Sequence, residues 1–154
     1  MQVAQQTRII LYFSILSVGF NFAYAQDEFA LNTGDVVVFT GGENMLHLQQ
    51  SGHFEGILTQ AFAASKPKFR DLAWEADTVF RQGSVLERWR REGFGNHDEQ
   101  FKRIGATVVI AQFGRLESMT GEQNLASFSE AYNALINDYQ KQARQVILVS
   151  PTPF

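Results

Sequence analysis

The sequence predicts an α/β domain built on a parallel sheet, and three observations carry that reading. Two β-branched apolar runs, residues 35–40 (DVVVFT) and 106–113 (ATVVIAQF), are each closed by glycine, at Gly41-Gly42 and at Gly114. A third run, residues 145–149 (QVILV), ends in Ser150-Pro151-Thr152-Pro153. Between them lie segments whose apolar residues recur at helical spacing. Continuous apolar strands alternating with helices imply a sheet covered on both faces and joined by right-handed crossovers.

The chain opens with an address. Residues 1–8 are polar with one positive charge, residues 9–20 (IILYFSILSVGF) are apolar, and Ala23-Tyr24-Ala25 places small residues where a signal peptidase reads. The apolar run falls short of the ~20 residues of a spanning helix. Residues 1–25 are therefore expected to be a signal peptide cleaved after Ala25, with an uncleaved anchor as the alternative. Residues 26–34 form a lead-in and residues 35–154 one domain. The protein is expected to be exported, to a bacterial periplasm or beyond, with no stable membrane insertion after cleavage.

Each later element follows from its own pattern. Residues 35–40 form the first strand. Phe54, Ile57, Leu58, Ala61 and Phe62 mark a helix over residues 54–64 that Ser51 opens and Pro67 stops. Residues 69–73 (FRDLA) make a shorter strand. Residues 84–91 look helical, with Val85, Leu86 and Trp89 on one side, and Gly93-Phe94-Gly95-Asn96 breaks the pattern. A short helix covers residues 98–103, and residues 106–113 form the second strong strand. Residues 123–144 are the clearest helix, with a buried stripe of Leu125, Phe128, Ala131, Tyr132, Leu135, Ile136 and Tyr139. Residues 145–149 are the last strand. The pattern expects a further strand and helix after Phe154, so the chain is read as C-terminally incomplete.

Composition narrows the function. The chain of 154 residues is 45% hydrophobic and 19% charged, with a net charge of −3. That balance argues against a nucleic-acid partner, which needs clustered Lys and Arg. The basic residues Arg88, Arg90 and Arg91 sit beside acids and read as a solvated helix face. The absence of cysteine excludes disulfides, Cys-based zinc sites and thiol catalysis.

In a parallel α/β sheet, ligands bind outside the carboxyl ends of the strands. The loops that matter are then residues 41–44, 74–78, 114–118 and 151–154. Glu43, Glu75, Asp77 and Glu117 are acids on that edge. They could form a carboxylate or metal site. Alternatively, Asp77 and Thr78 cap a turn while Glu117 accepts backbone N–H groups. His47 and His53 lie around Gly52 and could reach the first loop, although a lone histidine is more often a surface residue. Trp74 either floors a site or packs over the sheet. Gly41-Gly42 suits a tight turn, not a phosphate cradle, which wants a Lys nearby.

Four segments in order, VVVFTGGEN, DLAWEADT, VVIAQFGRLES and QVILVSPTP, resemble the sequence blocks of the SGNH (GDSL-type) hydrolases. The resemblance runs through nearly all of residues 35–154. It implies a three-layer αβα sandwich with a flavodoxin-like parallel sheet, and it implies ester hydrolysis. In the family, a Ser on the first loop attacks the carbonyl and a His from a late Asp-x-x-His motif is the base. Three donors hold the oxyanion: the nucleophile's N–H, a second-block Gly N–H and a third-block Asn side chain.

Carried over position by position, Glu43 falls where the family has its Ser, with Asn44 there if the match shifts by one, and Gly42 falls at the family's Asp. Ala76 takes the second-block Gly position, Gly114 is kept, Leu116 replaces the Asn, and Glu117 takes the neighbouring acidic position. The resemblance thus makes Glu43 the catalytic candidate, and Gly42, Asn44, Ala76, Gly114, Leu116 and Glu117 the oxyanion and binding candidates. Loss of one oxyanion donor costs ~10²–10³ in rate. None of His47, His53 and His97 belongs to an Asp-x-x-His motif.

The implied protein is an exported SGNH/GDSL hydrolase-like chain, an ester (acyl or acetyl) hydrolase acting on a carbohydrate or lipid ester, with the missing Ser leaving catalysis open. The alternative is a non-catalytic carbohydrate- or acyl-binding module on the same fold. A carboxylate-based hydrolase using Glu43 with Glu117 is a further rival, as is an unrelated flavodoxin-like domain. No metal or cofactor is called for. The expected partner is a small-molecule or carbohydrate ester, and the oligomeric state is left open.

Overall fold

The structure, a computed structural model, describes residues 29–80, 92–93 and 95–151. The segment expected to be a signal peptide, the helix expected over residues 84–91 with its basic residues, and residues 152–154 of the fourth loop lie outside the described residues. Four strands form one sheet: β1 (Val36–Gly41), β2 (Lys68–Asp71), β3 (Val108–Gln112) and β4 (Gln145–Leu148). Their order is β2-β1-β3-β4 and every pair is parallel. This is the flavodoxin-like order, with β1 and β3 in the middle. All of β3, and all of β1 after Val36, is buried, which explains why both read as unbroken apolar runs.

Helices cover both faces. On one side lie α1 (Glu43–Ser51) and α2 (His53–Ala61); on the other lie α3 (His97–Ile104) and α5 (Leu125–Gln140), which follows the short helix α4 (Arg115–Ser118) and a 3₁₀ turn at Glu122–Asn124. The strand period of two sorts the core into two clusters. Val37, Phe39, Val108 and Ile110 pack with Met45 and Leu58 on the α1/α2 side. Val38, Val109 and Ala111 pack with Phe101, Leu135 and Tyr139 on the α3/α5 side. The three-layer αβα architecture is the one expected.

Several boundaries differ from expectation. The segment taken for a loop after residue 42 is the helix α1, whose weak apolar pattern buries only Met45. Ser51 closes α1 and does not open the next helix, whose N-cap is Gly52, although the Ser51 Oγ accepts from the His53 N–H at 3.4 Å. Gly52, at φ 67°, makes the break between the two helices. Pro67 does not end α2. That helix stops at Ala61, where the Phe62 N–H still donates to the Leu58 carbonyl at 2.9 Å. The helix α5 is shorter than expected at both ends, and Leu125, assigned to its buried stripe, is 61% exposed.

Asp35 lies just before β1 and is only 5% exposed. Its carboxylate accepts from the Asn32 N–H at 2.6 Å, from the Thr107 hydroxyl at 2.8 Å and from the Arg144 guanidinium. Thr107 Oγ1 in turn accepts the Val36 N–H at 3.0 Å. This cluster ties together the starts of β1, β3 and β4. Burial works to raise the Asp35 pKa, but the hydrogen bonds from Arg144, Asn32 and Thr107, aided by the Arg144 charge, hold it below the ordinary aspartate value. No helix among the described residues is long and apolar enough to cross a membrane.

Candidate functional site

The carboxyl end of β1 sets the site. Gly41 has φ 143° and pairs with Gln112 of β3, and an added Cβ would run into the Gln112 carbonyl, so only glycine fits. The Gly42 N–H donates to that same carbonyl at 3.3 Å, and the Trp74 N–H donates to the Gly41 carbonyl at 3.0 Å. Three loops are thereby fastened to one another. The Gly42 carbonyl accepts from the Met45 and Leu46 N–H groups at 3.0 and 3.2 Å and starts α1. Glu43 and Asn44 consequently occupy its first turn.

The Glu43 carboxylate is exposed and lies 3.8 Å from the Arg115 guanidinium and 3.6 Å from His47 Nε2. The Asn44 Oδ1 accepts from Arg115 at 2.5 Å. Arg115 therefore bridges the first and third loops across the mouth of the site. The Asn44 Nδ2 is buried without a partner among the described residues.

In the second loop the Asp77 N–H donates to the Trp74 carbonyl at 3.1 Å, and Ala76 sits at the corner with φ 58°. An alanine here holds a left-handed conformation that costs an L-residue ~1–2 kcal/mol. This is a backbone shape that glycine would adopt freely. The Ala76 N–H donates to no acceptor among the described residues.

The third loop turns at Gly114, with φ 110°. Glu117 is only 7% exposed, and its two carboxylate oxygens accept the Gly114 N–H at 3.0 Å and the Val79 N–H at 2.8 Å. Glu117 is thus a brace between two loops. This is the backbone-accepting role that the sequence offered as the alternative to a reacting carboxylate. Leu116, at the family's Asn position, is 42% exposed and offers only an apolar surface.

These loops enclose a cleft of about 220 Å³. All seven residues to which the resemblance gives a role line it, namely Gly42, Glu43 and Asn44 from the first loop, Ala76 from the second, and Gly114, Leu116 and Glu117 from the third, and so do the acids Glu75 and Asp77. Pro151 joins from the fourth. The sequence reading missed Gln112 and Arg115. Gln112 carried a signal, being the one polar residue in the strand VVIAQ. Arg115 carried none, since it is an unspecified position of its block. Trp74 lies outside this cleft and lines a separate cavity of about 310 Å³ with Leu72, Arg103 and Ile104. His53 is exposed at the start of α2. His97 is half-buried under Phe101 at a ring separation of 4.5 Å, with its Nε2 3.4 Å from the Thr40 hydroxyl. Burial, together with Tyr139 and Glu117, pushes the Tyr132 phenol up to about 12, so it stays protonated at neutral pH. Among the described residues no group of three or more His, Asp or Glu is placed to hold a metal ion.

No family model matches the chain, and no curated protein matches it by sequence. Among solved structures, a protein of Parabacteroides merdae provisionally assigned as a GDSL-like lipase superposes with a TM-score of 0.50 at 15% identity. The match covers 81% of this chain and 62% of that one, so the chain spans less than two thirds of its neighbour's length. At that identity the likeness bears on architecture alone: the chain has a GDSL/SGNH-like αβα fold.

Proposed function

We propose that this is an exported protein of the SGNH-hydrolase type whose cleft binds an uncharged acyl group, as carried by a carbohydrate or lipid ester, without serine-type hydrolysis. One observation carries the reading. The turn that presents the nucleophile in the family presents Glu43 here, and no Ser, Thr, Cys or His lines the cleft among the described residues. A Glu carboxylate attacking an acyl carbon would yield an anhydride, a poor intermediate for ester turnover. The Asn donor is replaced by Leu116, which removes an oxyanion contact. Binding is still served by a concave wall of backbone and amide groups, of the kind that orients small ligands. The export part of the proposal rests on the segment ending in Ala23-Tyr24-Ala25.

The test uses residues 26–154 with p-nitrophenyl acetate. The expected result is no release of p-nitrophenol above buffer, together with ligand-dependent stabilisation by small acyl compounds. Turnover that disappears in Glu43→Gln would overturn the proposal and restore Glu43 as a catalytic residue.

A further inference from the structure

Gln112 ends β3 at the floor of the cleft and is only 6% exposed. Its Nε2 donates to the Ser150 carbonyl at 2.9 Å. A carbonyl can take only the NH₂ end of the amide, so this bond fixes the side chain's orientation. The Oε1 is left buried without a partner among the described residues. Asn44 is the complement. Its Oδ1 is used by Arg115, and its buried Nδ2 is the unpartnered atom. Buried polar atoms are almost always matched in folded proteins. Two residues that line one cleft therefore each carry a buried polar atom whose hydrogen-bonding capacity is unused, one an acceptor and the other a donor. Glu43, Glu75, Asp77 and Glu117 also line it, against Arg115 as the one cation among the described residues there, which disfavours an anionic ligand.

We infer that Gln112 and Asn44 together read a secondary amide, the ligand carbonyl accepting from Asn44 Nδ2 and the ligand N–H donating to Gln112 Oε1. An ester satisfies only the first contact, because its bridging oxygen bears no proton. A site that buries an acceptor rejects the analogue that cannot donate to it. The inference rests on the acyl-binding reading of the cleft and sharpens it, from O-acyl to N-acyl ligands.

Isotope-labelled protein spanning residues 26–154 would be titrated with N-methylacetamide and with methyl acetate, following the side-chain NH₂ signals of Asn44 and Gln112 by NMR. The amide should move both signals and bind about three- to tenfold more tightly than the ester, the worth of one hydrogen bond. Gln112→Met should weaken binding of the amide more than that of the ester, and so erase that preference. If the variant does not fold, the comparison of the two probes on the natural chain decides alone. Equal affinity for both probes overturns the amide inference and leaves the acyl-binding reading standing. No response of the cleft to either probe overturns both. A second pair of probes, N-acetylglucosamine and N-acetylalanine methylamide, separates an amino sugar from a peptide as the source of the amide, and a shift with either supports the inference.

Discussion

The Glu117 carboxylate holds the Val79 N–H at 2.8 Å with one oxygen while the other takes the Gly114 N–H, so one buried side chain sets the spacing of two loops that wall the cleft. Glu117→Gln keeps one acceptor and turns an NH₂ toward the remaining N–H. The variant should lose about 2–3 kcal/mol, the scale of a buried charge-assisted hydrogen bond. Urea unfolding checks it, and a loss below about 0.5 kcal/mol would refute the brace.

Ala76→Gly should stabilise the protein. The left-handed backbone at this corner is strained for alanine and free for glycine, and that relief exceeds the extra chain entropy glycine loses on folding. The expected gain is about 0.5–1 kcal/mol, read from the urea midpoint at unchanged slope. A loss of stability would mean that the loop does not hold this conformation.

Gly41→Ala should be among the most damaging single changes, because the new methyl meets the Gln112 carbonyl and the backbone sits at positive φ. A cost of about 3 kcal/mol or more is expected, with the soluble yield falling accordingly. Gly52→Ala serves as the contrast. That site also has positive φ but open space around it, so it should cost only the conformational part, about 1 kcal/mol.

Asp35 predicts an acid limb in the stability profile. Its folded pKa is lowered, so it contributes stability that is fully present above the unfolded aspartate pKa and is lost as pH falls through the folded value. Asp35→Asn should cost about 2–3 kcal/mol at neutral pH and much less in strong acid. Urea unfolding of both proteins across that range checks the convergence. A constant difference down to the lowest pH would show that the charge is not the source.

The strands and the edge of the sheet that matters were legible because burial on both faces leaves runs such as VVVF and VVIA with no polar interruption. The helix α1 was not legible. ENMLHLQQS buries only Met45, and its helicity comes from the Gly42 carbonyl and from packing on β1, neither of which has a local signature. The roles of the cleft residues were legible only in part. Position along the blocks put Glu43, Ala76 and Leu116 at one cavity, and Glu117 was open to the reading that it accepts backbone N–H groups, but the sequence could not name which N–H groups those are. That choice depends on Val79, a residue 38 positions away. Arg115 was invisible for the same reason, since its partners Glu43 and Asn44 are brought to it only by the parallel pairing of β1 with β3.

The cluster of Asp35, Thr107 and Arg144 sits at the rim where the strands begin, and the cleft sits at the rim where they end. The buried Asp35 cluster therefore anchors one pole of the sheet without touching the cleft, while Gly41 and Glu117 anchor the other from beneath its mouth. A chain built this way can have the exposed residues of its mouth, Glu43 or Leu116, exchanged with little penalty to folding. It is a scaffold on which new specificities could be selected one loop at a time.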